Sequence, residues 1–500
     1  MLPTQSSPTQ AAAFLFKRTG AVNRLNVIMF ETETAGRLRN TLRAFPIIHK
    51  IFSTGTRAGE KNPSFPFSGA GLTRALQQTL TAPGILLISD PDRVDIRLQD
   101  LENFWAAAKQ HPDGSLFYAD YYSGDRCAEN LLPVIDYQPG SIRDDFDFGP
   151  VQLAAAEHVN RVIAKYGPPA ESKWAGLYDL RLKLSLTGKL VKIHKPLSRL
   201  CRPKTRPSHF DYLTPDRAAF QKEMEQTASR HLKQAGAFCN HEFAPVPADP
   251  EPAPVLASIM IPVKNREKTI LDALKSALGQ KTDFRYNVLV VQNHSTDRTG
   301  EKIDSLSKTD SRIIPIVPKR RDLGIGGCWN EAVASASCGK YVCQLDSDDL
   351  YRDENSLTAM IEMLATGKYG MVVGAYRVVD FNLKEIPPGI VDHREWTETN
   401  GRNNLLRVNG IGAPRAFPRI LLRQFPFPNV SYGEDYAVAL RISRDYRVGR
   451  IFDPLYLCRR WAENSDARLT REQANRYARY KDRLRSEEIT ARQHLTARTG

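Results

Sequence analysis

The sequence predicts an α/β protein built from two copies of one layered plan. Three observations carry that expectation. Short apolar, strand-like runs alternate with segments of helical periodicity through most of the chain, which is the pattern of helices packed on a sheet. The same landmarks recur in the same order, and from Gly69 onward they lie about 255 to 260 residues apart. In each copy one apolar run ends in paired carboxylates, Asp90 and Asp92 in the first and Asp346 and Asp348 in the second. Each copy is therefore expected to hold a mostly parallel sheet flanked by helices, at 24–202 and 255–462. A helical and Pro-rich linker at 203–254 separates them, and a C-terminal helix occupies 463–500.

Taken in order, residues 1–23 offer only a brief apolar patch, Ala11 to Phe16, with its charges after it and not before. That is not the pattern of a secretory signal, and the segment is expected to be loosely packed. Leu25 to Phe30 reads as a strand, and Ala35 to Ala44 as a helix with Leu38 and Leu42 on one face. In the second copy Ser258 to Val263 is the matching strand. The helix after it keeps Ile270, Leu271, Leu274, Ala277 and Leu278 at helical spacing. The runs from His49 and from Tyr286 each give a strand and then a Ser/Thr turn, and Gly69-Ala-Gly71 and Gly324-Ile-Gly326 each open a helix. The stretch from Leu177 to Leu200 pairs with the one from Tyr436 to Arg460. Between the copies, Thr214 to Gly236 is helical in pattern, with Thr214 as N-cap and Pro215 at the first helical position. The Pro/Ala-rich run after it should be extended. Thr470 and Gln473 fit a capping box for the last helix.

Composition narrows the function classes. The formal net charge of +14 favours acidic partners, but no block of consecutive Lys/Arg gathers it into a tail. A nucleic-acid binder would cluster basic and aromatic residues on one surface, and no such run is visible. Seven cysteines without a Cys-x-x-Cys pair argue against a disulfide framework and for a reducing, cytoplasmic setting. No apolar run approaches the ~20 residues that span a bilayer, so any membrane contact is expected to be peripheral, at the inner face. No His/Cys cluster has zinc spacing. The Gly-rich stretch at Gly324 is neither a P-loop nor a dinucleotide fingerprint, because it lacks Gly-Lys-Ser/Thr and has Trp329 at its sixth position.

The most informative stretch is Lys340 to Leu350. Tyr341, Val342, Cys343 and Leu345 form an apolar run interrupted by Gln344, and Asp346, Asp348 and Asp349 follow. A buried strand cannot hold three like charges, so these carboxylates belong where the strand leaves the sheet. In an open α/β sheet that is the ligand-binding crevice. Asp-x-Asp there can hold a divalent cation whose shell is completed by phosphate oxygens and water. The alternative is a solvated Asp-rich turn capping the next helix.

From Ala257 to Ala467 the sequence resembles the family 2 glycosyltransferases. The resemblance rests on Ile261 to Arg266 (IPVKNR), Val290 to Thr299 (VVQNHSTDRT), Gly324 to Ala332 (GIGGCWNEA), the LDSDD run, Gly433 to Tyr436 (GEDY) and Tyr456 to Trp461 (YLCRRW). It implies two tandem GT-A-like, Rossmann-like domains, the first degenerate. It also implies inverting, metal-dependent transfer from a nucleotide-diphosphate sugar to a glycan, lipid-linked or protein hydroxyl, as in polysaccharide biosynthesis. By the same resemblance Asp346 and Asp348 hold Mn²⁺ or Mg²⁺, Asp349 supports them or caps a helix, and Asp435 is the general base beside Glu434. Pro262, Val263, Asn265, Gln292, Asn293, Asn330 and Ser347 lie against the nucleotide sugar, and Arg460 and Trp461 close on its pyrophosphate side with Arg459. The family usually has aspartates where this chain has Gln292 and Asn293, and Arg where it has Trp329; Arg320 or Arg321 is the candidate replacement cation. Read without the family, Glu434-Asp435 is a pair facing a helix dipole, the Arg pair ends a strand beside a core Trp, and His294 is a turn residue. In the first copy Lys173 to Gly176 (KWAG) stands where GEDY is expected, with no acid. The rival for the whole chain is a non-catalytic module that binds nucleotide sugar or glycan.

Overall fold

The computed structural model describes residues 24–30, 35–54, 67–124, 130–201, 217–462, 464 and 469–499. The expectation for residues 1–23 and the proposed cap at Thr214-Pro215 lie outside them. The chain divides into two compact units, 1–235 and 236–500.

The first unit runs β1 (Leu25–Phe30), α1 (Gly36–Arg43), β2 (Ile48–Thr54), α2 (Gly69–Thr79), β3 (Gly84–Ile88), β4 (Val94–Asp95), α3 (Leu98–Lys109), β5 (Gly114–Ser123), β6 (Asn130–Leu132), β7 (Val151–Ala155), α4 (Ala156–Tyr166), α5 (Gly176–Ser185), β8 (Lys189–Leu200) and α6 (Ala218–Gln234). β1 and β3 are buried at every position, as continuous apolar runs must be when helices cover both faces of a sheet. The sheet order is β2-β1-β3-β7-β5-β8-β4, with β6 beside β5.

The second unit runs β9 (Ala257–Val263), α7 (Ile270–Leu278), β10 (Tyr286–Gln292), α8 (Thr299–Ser307), β11 (Ile313–Ile316), α9 (Ile325–Ala334), β12 (Tyr341–Gln344), β13 (Leu350–Tyr351), α10 (Ser356–Ala365), β14 (Met371–Val379), β15 (Glu385–Val391), α11 (Gly401–Asn404), β16 (Arg415–Pro418), α12 (Arg419–Gln424), α13 (Glu434–Asp445), β17 (Val448–Arg459) and α14 (Arg471–Thr499). Its sheet order is β11-β10-β9-β12-β16-β14-β17-β13, with β15 beside β14. Strand for strand this is the order of the first sheet with β11 added at one edge. The core joins Ile259, Ile261 and Val263 of β9, Val288 and Val290 of β10, Cys343 of β12 and Leu274 of α7.

Both sheets are mixed, which corrects the expectation of mostly parallel ones. β11-β10-β9-β12 is parallel, but β16 runs antiparallel between β12 and β14, and β13 antiparallel to β17. In the first unit β7 is inserted antiparallel between β3 and β5 in the same way. Short apolar runs show burial; they do not show direction.

The stretch 203–254 divides between the units. α6 sets Glu223 to accept the backbone N–H groups of Lys173 and Trp174 in the first unit. The Pro-rich run is fastened to the second: Asp249 pairs with Arg419 at 2.8 Å, and Arg419 also donates to the carbonyl of Glu251. The last helix opens on the expected capping box, with Thr470 N–H on Gln473 Oε1 at 2.9 Å and Gln473 N–H on Thr470 Oγ1 at 3.2 Å. Six of the seven cysteines are described, each a free thiol. Among the described residues no helix is long and apolar enough to cross a membrane.

Candidate active site

β12 delivers Asp346, Ser347, Asp348 and Asp349 directly beyond its last residue, at the C-terminal edge of the parallel half of the sheet. The backbone N–H of Asp346 donates to Tyr456 Oη on β17 at 3.1 Å. Burial pushes the Asp346 carboxyl up to about 6; the charges of Asp348 and Asp435 push the same way, while Arg415 opposes them. Asp348 Oδ2 accepts from Trp461 Nε1 and from Asn464 Nδ2, both at 3.3 Å, and Arg266 Nε lies 3.7 Å away. Asp349 points elsewhere. It is buried and accepts the backbone N–H of Arg459 at 2.8 Å, so it caps no helix and instead locks the end of β17 to the Asp turn. Burial, with the charges of Asp348 and Asp346, raises its carboxyl well above the usual range.

Opposite this turn stands the N-terminus of α13. Gly433 caps it in the left-handed region, φ 81°, where a side chain would be strained. Asp435 Oδ2 pairs with Arg415 Nη1 at 2.8 Å. Burial would raise the Asp435 carboxyl, but the cations of Arg415 and Lys481 and the helix N–H groups outweigh it and hold it below the usual value. Glu434 behaves oppositely. Burial, reinforced by the Asp435 charge, pushes it up to about 8, and its Oε2 has no hydrogen-bond partner among the described residues. Two neighbouring carboxylates thus carry different charges near neutrality, Asp435 ionised and Glu434 protonated. Pairs split in this way suit acid/base roles.

The Gly-rich helix α9 serves to place that helix N-terminus. A Cβ on Gly326 would stand 1.9 Å from the Pro428 carbonyl, so only glycine lets α9 abut the segment leading to Gly433. Gly326 N–H donates to the Val430 carbonyl at 2.9 Å, and Asn429 Oδ1 accepts the N–H of Gly324 at 2.7 Å. Asn330, expected at the nucleotide sugar, commits both ends of its amide to the Phe427 backbone and stitches the same segment.

The other expected donor contacts surround the ends of β9 and β10. Asn265 is exposed with φ 54°; its Oδ1 accepts Thr296 N–H at 2.8 Å. Pro262 is half-buried at the end of β9, whereas Val263 is part of the core. Gln292 Oε1 accepts Ser295 N–H, and Asn293 is buried with Nδ2 on the Leu323 carbonyl and its Oδ1 unpartnered among the described residues. Ser347 is buried between the two aspartates, and Arg460 is tied through its N–H to Val379. Trp461 packs on Phe381, ring centroids 5.3 Å apart. Arg459 is not a phosphate fork: it is 2% exposed and braced on Asp272 at 2.9 Å and on the Asp348 carbonyl. Arg320 pairs with Asp322 at 2.6 Å on the surface, Arg321 is exposed, and Trp329 is core. His294 is a half-buried turn residue whose Nε2 meets the Arg320 carbonyl at 2.9 Å. Sequence reasoning missed Arg415, Tyr456 and Arg266 as members of this site. Arg266 and Tyr456 carried a signal, as the basic end of the IPVKNR run and the first residue of the YLCRRW run, and Arg415 carried none.

In the first unit the strand ends differ. Asp90 is ion-paired with Arg93, and Asp92 is exposed. α5 begins at Gly176 after Ala175, so Gly176 and Leu177 hold the places of Glu434 and Asp435. This corrects the pairing of KWAG with GEDY by two residues, and the absence of an acid stands.

Residues 258–427 match the family model described as glycosyl transferase family 2. An uncharacterized glycosyltransferase of Rickettsia conorii is 37% identical over 198 residues, covering 39% of this chain and 31% of that protein. Glycosyltransferase GlyG of Streptococcus pneumoniae is 26% identical over 121 residues, 24% of this chain and 39% of its own length. The chain spans about a third of the length of the curated relatives it matches. Similar solved structures include S. aureus TarS 1–349 in complex with UDP-GlcNAc, with TM-score 0.35 and 19% identity over 43% of this chain and 62% of that one. Another is a mannosyltransferase from Pyrobaculum calidifontis in complex with GDP-Man and Mn²⁺, with TM-score 0.34 and 18% identity over 56% of this chain and 86% of that one. The likeness to family 2 glycosyltransferases therefore lies within the second unit of this chain.

Proposed function

We propose that the second unit transfers a sugar, with inversion, from a nucleoside-diphosphate sugar to a hydroxyl acceptor. One observation carries the reading: Asp346 and Asp348 at the end of β12 face an ionised Asp435 across the same site, with Arg415 joining the two sides. The acceptor hydroxyl loses its proton to Asp435 as its oxygen bonds the anomeric carbon, and the bond from that carbon to the diphosphate oxygen breaks. Asp435 is ionised at neutral pH and so has an oxygen free of a proton to take up the one the acceptor loses.

The residues fit a divalent cation. Burial first, and the charges of Asp348 and Asp435 after it, raise the Asp346 carboxyl against the pull of Arg415, a cost that a bound cation would offset. Among the described residues no three His, Cys, Asp or Glu side chains are grouped to hold a metal by themselves. A cation shared between two carboxylates and a ligand diphosphate needs no third side chain. Mn²⁺ or Mg²⁺ on Asp346 and Asp348 would neutralise the departing diphosphate. Pro262, Asn265, Gln292 and Asn293 then lie toward the nucleoside, and Arg266, Arg460 and Trp461 toward the diphosphate. The acceptor is a glycan, a lipid-linked saccharide or a protein side chain. The first unit is a degenerate copy of the same domain, retained for packing or for holding the acceptor; the shared strand order supports this.

The test is a screen of UDP-, GDP- and dTDP-sugars for Mn²⁺-dependent thermal stabilisation, followed by release of nucleoside diphosphate. Stabilisation with turnover is expected. Stabilisation without turnover for any acceptor would favour a binding module.

A further inference from the structure

We infer that Gln344 and Arg415 are positioning residues for Asp435, forming one link from the strand that leads to Asp346 to the helix that carries Asp435. This rests on the reading of Asp435 as the base. Gln344 is the polar interruption in an otherwise apolar run, and it is 3% exposed. A polar side chain inside a buried strand is costly unless it is bonded, so its presence calls for a partner. That partner is Arg415. β12 and β16 pair antiparallel, with Cys343 opposite Ala416, which places Gln344 beside Arg415. Gln344 Oε1 accepts from Arg415 Nε at 2.6 Å. Arg415 Nη1 spans the Gly412 carbonyl at 2.5 Å and Asp435 Oδ2 at 2.8 Å.

Three acceptors from three segments thus fix one guanidinium, whose planar fork matches them in a way an ammonium cannot. The arrangement stands before any substrate arrives, so the base needs no reorganisation at the moment of transfer. The remaining titratable groups around Asp435 are Lys481 of α14, Glu434 of its own helix and Asp346. Of the two cations, only Arg415 is tied to the Asp346 strand. Neither Gln344 nor Arg415 takes the proton; they aim the group that does.

The experiment measures nucleoside diphosphate release from UDP- and GDP-sugars with Mn²⁺, alongside donor affinity by calorimetry and the melting temperature. Arg415→Ala should lower kcat by about 10²-fold, the cost of a misplaced catalytic group, with donor affinity within a few-fold of wild type. Gln344→Leu, similar in volume, should shift kcat in the same direction by a smaller factor and also spare donor affinity. Arg415→Lys should recover part of the loss. Unchanged kcat in both Arg415→Ala and Gln344→Leu overturns the inference. So does a fall of kcat, donor affinity and melting temperature together, which marks a purely structural link. If the wild type releases no nucleoside diphosphate and Asp435→Asn behaves identically, the base reading itself fails, and this inference with it.

Discussion

Both units end a buried central strand in Asp-x-Asp, yet the two pairs have opposite fates. In the first unit the next residue is Arg93, which folds back onto Asp90 and neutralises it. In the second the next residue is Asp349, which turns away to hold the Arg459 backbone and leaves Asp346 under the charge of its neighbours. The helix starts differ in the same sense: Gly176 and Leu177 open α5, while Glu434 and Asp435 open α13. The frame is nearly the same down to its tight spots. A Cβ on Gly69 would stand 1.8 Å from the Ala170 carbonyl, as one on Gly326 would stand 1.9 Å from that of Pro428. The two units thus share tight packing spots while the side chains at one strand end and one helix start differ, with Asp90 paired to Arg93 in one and Asp346 flanked by Asp348 in the other.

Four tests break or sharpen that contrast. Removing the strand-end charge of the second unit should have the largest effect. Asp346→Ala or Asp348→Ala is expected to abolish turnover and weaken donor binding, because the diphosphate loses its counter-ion. Full activity in either variant, or in EDTA, would refute the metal role.

Making the helix start of the second unit resemble the first comes next. Asp435→Asn keeps shape while removing basicity, and the chemical step should slow by roughly two to four orders of magnitude. Donor affinity should hardly change, the mark of an interaction made in the transition state. Single-turnover transfer at the wild-type rate would show that another group accepts the proton.

Glu434→Gln tests the other member of the pair through pH. The Glu434 carboxyl is raised from about 4.5 to about 8 by burial first and by the Asp435 charge second. The folded state therefore holds a proton that the unfolded state releases. The stability this group contributes is complete below about 4.5 and is lost as pH rises toward 8. The glutamine variant should melt close to wild type at pH 5 and clearly above it at pH 8.5, since a rise of this size corresponds to several kcal/mol by linkage. An identical difference at both pH values would place the proton elsewhere.

The smallest effect is expected in the first unit. Asp90→Asn with Asp92→Asn should leave turnover within a few-fold, since no acid stands across from them. Loss of activity with an unchanged melting curve would mean that the first unit holds a working ligand site.

The sequence by itself showed the alternation of strands and helices, landmark elements such as Leu25–Phe30 and Ser258–Val263, where the Asp-x-Asp pairs fall, and the alternative in which Glu434-Asp435 opens a helix. These follow from local periodicity and from the cost of burying charge, both of which act over a few residues. It also determined the capping box at Thr470 and the structural oddity of Gln344. The tertiary structure alone decided strand direction, because an apolar run such as Arg415–Pro418 looks the same whether it enters the sheet parallel or antiparallel. It decided that Arg459 is a brace, that Asn330 clamps Phe427, and that Glu434 and Asp435, adjacent in the chain, differ in charge. Above all it decided the partner of Asp435: Arg415 lies 20 residues upstream with no periodic relation to it. A contact of that kind is set by how β16 threads between β12 and β14, which no local pattern encodes.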